Sequence, residues 1–526
     1  MTPKTNSPFN YGIDRLTPST ALALAGGSLR GQISEEVRFR LVASQKHVQE
    51  IVNRNISVYG INTGFGPLCR TCIAPEDTGR LQENILRSHS VGVGEPVSKE
   101  IAKLMLILKA HSLCQGFSGV SLALVERILW HIEKDIIPVV PSQGSVGASG
   151  DLAPLAHLFL PLIGLGQVFY KDKIIETAKS LEKTGIKGMA LGPKEGLALI
   201  NGTQFIAAHA VKIVERLHNC LECADIIGAL SLESMLGSVQ PFKHKLHQLR
   251  PFNGALHVAH RLRTLLEGSE VLGSHKNCER VQDPYSLRCM PQVHGTSRDA
   301  WEHLACQVLT EINAVTDNPV IFSSTETVSG GNFHGQPLAL PLDYTAMAAS
   351  ELGNISERRT YLLLEGKEGL PVLLMKDTGI NSGFMIPQYT AAALVSENKS
   401  LCFPASVDSI PTSLGQEDHV SMGAISARKT LRVVDNLEKI LAIELLCAAQ
   451  AFDFRRPLKS SHLLEACHDL VRQKISHADD DRVFGDDIKI AIAILTKGEL
   501  DNTANNAAKQ KRIDLKGDLH ERFRLS

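Results

Sequence analysis

The chain has 526 residues, 43% of them apolar and 21% charged, the composition of an ordinary globular protein. A net charge of -1 and an isoelectric point near 7.0 leave no electrostatic footprint for nucleic acid or an anionic membrane, so chemistry on a small molecule is expected. Eleven cysteines, an odd number scattered along the chain, make no disulfide framework, and no apolar signal core follows Met1-Thr2-Pro3-Lys4; a reducing cytoplasm is the expectation.

Length alone allows about three to four domains, although a large helical enzyme can share one core. In chain order, residues 56–61 read as a short strand, and the helical apolar period then runs through residues 101–132. Residues 152–169 approach a membrane span in hydropathy. They contain Pro154, His157, Pro161, Gly164 and Gly166 and sit at the short limit, so a buried, interrupted helix is expected, with a hairpin at 168–175. The helical period returns over 205–236, 301–315, 340–364 and 424–449, lengths that exclude strands. The tail from Asp501 is polar and reads as a surface helix or frayed end. The fold expected is mainly α: a bundle of long antiparallel helices over residues 201–526, with a smaller loop-rich N-terminal region over 1–200.

Irregular Gly/Pro/Asn-rich segments interrupt these helices, and function usually sits on such loops. One of them, Gln143-Gly144-Ser145-Val146-Gly147-Ala148-Ser149-Gly150-Asp151-Leu152-Ala153-Pro154, is built for close backbone approach. For the amide nitrogen of Gly150 to reach the carbonyl carbon of Ala148, the turn must be too tight for large side chains. Closing that ring and losing water, the Ser149 hydroxyl included, leaves an exocyclic methylidene conjugated to a carbonyl. The plainer reading is a connector whose Asp151 caps the following helix. A nucleophile elbow fails, because Asp151 stands where a second glycine is needed, and no lysine follows to make a phosphate loop. Two CxxC pairs, Cys69/Cys72 and Cys220/Cys223, lie nearly 150 residues apart, the second within a helical pattern, so no metal site is expected.

The loop resembles the prosthetic-group segment of the histidine and aromatic amino-acid ammonia-lyases, and further segments match that family in the same order. They read Tyr59-Gly60-Ile61-Asn62-Thr63-Gly64-Phe65-Gly66, Ser88-His89 before Gly92-Val93-Gly94, and Leu199-Ile200-Asn201-Gly202-Thr203-Gln204. Gln282-Asp283-Pro284-Tyr285-Ser286-Leu287-Arg288, Ser329-Gly330-Gly331-Asn332-Phe333-His334 and Gln416-Glu417-Asp418-His419-Val420 follow. The resemblance covers roughly residues 50 to 430 and implies the fumarase/ammonia-lyase superfamily architecture. It also implies a 4-methylideneimidazol-5-one group, formed autocatalytically from Ala148-Ser149-Gly150, with no metal or nucleotide.

The chemistry explains the residue types. An α-amino acid must lose ammonia, a poor leaving group, with a β-proton of low acidity, and general acid–base help supplies only about 10² to 10⁴. A strong electrophile is needed. By resemblance, Tyr59 is the base, Tyr285 assists elimination, and Arg288 holds the substrate carboxylate through its planar fork. Asn201 donates to the carboxylate or the ring, Gln282 touches ring or substrate, and Phe333 packs against the prosthetic group. His89 and Glu417 stand where relatives acting on phenyl rings look different, and both can bond an imidazole. The implied activity is therefore deamination of L-histidine to trans-urocanate and ammonia, by a cytoplasmic homotetramer with shared active sites. Within the family the alternative is a phenylalanine or tyrosine ammonia-lyase or an aminomutase; outside it, a non-catalytic helical assembly protein. One departure bears on Glu417: Leu414-Gly415 precedes Gln416 where histidine-directed relatives usually carry Ala-Asn, which removes an amide near the carboxylate.

Overall fold

The computed structural model describes residues 7–54, 57–68, 70–275 and 281–526. Five long helices form its centre: Gln204–Ser234, Met290–Glu311, Gln336–Leu363, Met385–Leu401 and Gly423–Asp453. Consecutive ones alternate in direction, as expected. Trp301 meets Val214 while Arg298 reaches Glu222 further along, so Met290–Glu311 runs against Gln204–Ser234. Alternate helices are consequently parallel: Arg216 reaches Glu438 near the start of the shared seam, and Ser234 reaches Ala448 at its end.

The Gln204–Ser234 helix is buried on most sides, with Phe205, Ile213, Leu221 and Leu230 all buried, because neighbouring helices cover most of its surface. Its core is continuous with apolar residues from Phe9 to Phe523. Among the described residues no helix is long and apolar enough to cross a membrane.

Local chemistry modifies several expectations. The apolar run 101–132 divides into Lys99–Leu113 and Leu122–Lys134, because Gly116 and Gly119 between them adopt φ of 84° and 72°. A Cβ on Gly119 would also lie 2.3 Å from Val48. Residues 56–61 give no strand where they are described. Ile56 lies outside the described residues, and Ile61 N donates to Val58 O at 3.1 Å in a turn that Gly60 completes at φ 73°. The interrupted helix at 152–169 takes the form of Leu152–Phe159, a 3₁₀ turn Leu160–Ile163, and then Gln167–Tyr170, which pairs antiparallel with Lys173–Glu176 as the expected hairpin. Nor does the tail fray: Glu499–Lys511 is a helix that buries Leu500, Ala504 and Ala507, and Phe523 beyond it is buried.

Candidate active site

The glycine-rich loop lies at the N-terminal end of the Gln204–Ser234 helix. Ser149 adopts φ 52° and Gly150 φ 82°, left-handed conformations that strain a side chain. Gly202 holds the loop from both sides, its N–H donating to Ser149 O at 3.2 Å and its carbonyl accepting from Asp151 N at 2.8 Å. A Cβ on Gly150 would meet Gly202 O at 2.1 Å, and one on Gly147 would meet Ser421 Oγ at 2.2 Å. Only glycine fits at either place. The side chain of Asp151 does not cap the Leu152 helix. It accepts from Phe205 N and Ile206 N, both at 3.0 Å, and so caps the long helix instead, where amides and helix dipole favour its charge. Burial nevertheless pushes the Asp151 carboxyl up to about 7.

Above the loop, Ser149 Oγ donates to Glu417 Oε1 at 3.0 Å, joining residues 268 positions apart. The other carboxylate oxygen of Glu417 accepts from Thr412 Oγ1 at 2.8 Å and Ser413 Oγ at 2.7 Å. Two hydroxyls thus seat the carboxylate that Leu414-Gly415 had put in question, while Leu414 itself points outward, 94% exposed. His89 ends the Thr78–His89 helix with Nδ1 2.9 Å from Ser88 Oγ. Burial lowers its pKa, while the backbone carbonyl of Ile85 and the charge of Glu417 oppose that. Tyr59 is half-buried, and its hydroxyl oxygen accepts the N–H of Gly66 at 3.3 Å.

Asn201 is buried, its Nδ2 3.5 Å from Asn318 O and its Oδ1 without a partner. Asn318 in turn accepts from Ser329 Oγ and Gly330 N, which brings the Phe333 loop to the same place. Gln82 ties the Tyr59 turn to this floor: its Nε2 donates to Gly60 O at 3.4 Å, and its Oε1 accepts from Leu197 N at 3.0 Å.

Gln282, Tyr285 and Arg288 form a second cluster. Arg288 Nη2 donates to Gln282 Oε1 at 2.9 Å, and its guanidinium lies 4.6 Å from the centre of the Tyr285 ring, which is 71% exposed. Asp283 anchors this segment to Ser238 N at 2.7 Å, just past the C-terminal end of the Gln204–Ser234 helix. Asn201 and Gly202 precede the other end. A helix of 31 residues is about 46 Å long, so the two clusters stand at opposite ends of this helix.

Residues 16–473 match the aromatic amino acid lyase family. The chain is 47% identical over 472 residues to a histidine ammonia-lyase of Natranaerobius thermophilus, covering 89% of this chain and 93% of that one. The chain belongs to the aromatic amino acid lyase family. Among solved structures, a histidine ammonia-lyase from Trypanosoma cruzi superposes with a TM-score of 0.87 at 42% identity, covering 95% of each chain. A tyrosine aminomutase from Streptomyces globisporus gives 0.89 at 34% identity, covering 97% of this chain and all of that one.

Family motifs did not point to every residue that shapes the site. Lys109 donates to Asn201 O, and Thr412 and Ser413 seat Glu417. A lysine inside the apolar run Leu-Met-Leu-Ile-Leu-Lys109 was the one available signal for the first; polar residues in a polar loop gave none for the others. Cys220 and Cys223 are buried thiols on the long helix, Cys72 is exposed, and Cys69 lies outside the described residues.

Proposed function

We propose that the protein is a histidine ammonia-lyase, a carbon–nitrogen lyase that converts L-histidine to trans-urocanate and ammonia. The observation that carries this reading is the contact of Ser149 Oγ with Glu417 Oε1, on a loop whose glycines admit no side chain and beside a half-buried His89. The cradle fits a group made from Ala148-Ser149-Gly150: Gly202 grips the backbone on both sides of Gly150, and the close approach there and at Gly147 admits only glycine. That group supplies an electrophile for the substrate's amine and an electron sink for its departure. Its formation removes the Ser149 hydroxyl, which leaves Glu417 Oε1 for an imidazole N–H. His89 bonds the other side of the imidazole, and desolvating both groups against a phenyl ring would leave them unpaired.

Tyr59 takes the β-proton. The Gly66 N–H on its oxygen holds the hydroxyl in place. Asn201 offers its amide to the carboxylate or the ring, and Phe333 packs alongside. Arg288 grips the carboxylate, with Gln282 and Tyr285 beside it. Since 46 Å of helix separates these three from Ser149, they complete a site in another subunit, which is why we propose a homotetramer with shared sites. The surface supports a second copy as the cover: Leu340, Tyr344, Ile386, Tyr389, Phe403 and Val407 are all exposed along adjoining helices and the loop that follows them. Nine free thiols among the described residues suit a reducing cytoplasm.

The test is intact mass with a urocanate assay. A mass two waters below the translated sequence and turnover of histidine ahead of phenylalanine and tyrosine are expected. An unmodified mass in an active sample, or preference for a phenyl substrate, would refute the reading.

A further inference from the structure

The helix Lys99–Leu113 is buried at every position from Leu104 onward, and Lys109 in that stretch keeps 2% exposure. A buried ammonium costs several kcal/mol unless it is paired. Among the described residues no carboxylate stands at ion-pair distance from Lys109. Asp317 is taken by Lys194 at 2.7 Å, and Asp151 by the amides of Phe205 and Ile206. Nζ instead donates to Asn201 O at 2.5 Å, with Gln204 Oε1 at 3.5 Å. Burial lowers its pKa to about 7, Lys194 adds to that, and Asp317 and Asp151 oppose it. Ammonium and amine both carry N–H, so the bond to Asn201 O survives titration.

The carbonyl of Asn201 and the N–H of Gly202 belong to one planar peptide and point in opposite directions. Lys109 holds the oxygen, and Ser149 O receives the hydrogen at 3.2 Å. Gly202, at φ 122° and without a side chain, would otherwise let this peptide rotate. Its orientation sets the direction in which the Asn201 side chain leaves the backbone, with its unpartnered Oδ1. We infer that Lys109 is a positioning residue for the deamination: it locks the Asn201–Gly202 peptide, so that the Asn201 amide meets the substrate. The inference rests on the role proposed for Asn201.

The experiment is a double-mutant cycle on the purified holoenzyme, with Lys109→Met, Asn201→Ala and the pair, read by kcat/KM for L-histidine and by intact mass. Misplacing a substrate-orienting group costs about 10²-fold, and that loss is expected for Lys109→Met, with the two-water mass deficit retained. In the Asn201→Ala background the same change should cost less than about threefold, since residues acting as a unit do not add. Lys109→Arg keeps a donor and should restore activity to within about tenfold of the wild type. A folded Lys109→Met enzyme within threefold of wild type, a cost that adds in full to that of Asn201→Ala, or loss of the mass deficit would each overturn the inference. If Lys109→Met does not fold, Lys109→Gln, whose side chain is too short to reach Asn201 O, enters the same cycle: a cost seen with Asn201 present and lost in Asn201→Ala supports the inference, while no cost or an undiminished one overturns it. A wild type that ignores histidine but turns over another amino acid would sink the functional reading alone, and the cycle would be run on that substrate.

Discussion

The two ends of the Gln204–Ser234 helix carry opposite kinds of surface. At its start, backbone bonds from Gly202, the carboxylate of Asp151 and the Ser149–Glu417 contact tie three distant loops to the helix. Beyond its end, Tyr285 stands exposed, with Arg288 against its ring and Gln282 as its side-chain partner. On the proposed reading, a site that needs both an electrophile and a carboxylate clamp is half built in each chain. Contacts within the chain close the first half; in the proposed tetramer another subunit covers the second.

The comparison is broken most severely by removing one chemical group from each end. Ser149→Ala should take ammonia release below detection while the chain stays folded with an unmodified mass, because no hydroxyl remains to be lost. Arg288→Ala should keep the two-water deficit but lower kcat/KM by about 10² to 10³, the worth of a bidentate charge-assisted pair. If instead Arg288→Ala abolished the mass deficit, the two ends would not be chemically separate.

Mixing the ends is the next test. Tyr59→Phe and Arg288→Ala proteins, each strongly impaired, should regain about a quarter of wild-type activity after subunit exchange if every site draws one residue from each of two chains. No recovery in demonstrably mixed tetramers would place both residues in one chain's site.

How much of this was legible in the sequence follows from the same contrast. The loop at 143–154 stands out because close backbone approach demands Gly147 and Gly150, and glycine leaves a visible mark. The long helices stand out because burial imposes the 3.6-residue period. Lys109 was hidden because its partner is a backbone carbonyl, which any residue at 201 would supply. Thr412 and Ser413 were hidden because they act through hydroxyls in a loop where hydroxyls are common. The misread strand at 56–61 shows β-branched residues serving a turn: Ile61 is buried as the turn's anchor. Separation of the two clusters was beyond sequence reading, since it depends on which end of a helix Asp283 bonds.

Substrate choice sharpens the buried end alone. Glu417→Gln with His89→Leu should weaken histidine turnover by up to about 10⁴ and let phenylalanine or tyrosine react detectably, with the prosthetic group still formed. Wild-type efficiency for histidine in the double variant would show that neither residue reads the imidazole.

The smallest effect tests the electrostatics of that end. Burial holds the folded pKa of His89 below its ordinary value near 6.5, and the Glu417 carboxylate pulls it part of the way back. Between the depressed value and 6.5 the folded chain keeps His89 neutral while the unfolded chain takes up a proton. The stability His89 contributes is therefore present above pH 6.5 and lost as pH falls from there towards the folded pKa. Replacing Glu417 by Gln removes the opposing charge, so the His89 pKa should fall further and the window should widen towards acid. An NMR titration of the His89 ring in both proteins measures this directly. A pKa that rises in Glu417→Gln, or does not move, would mean that the carboxylate does not face the imidazole of His89, and the two would then have to recognise substrate separately.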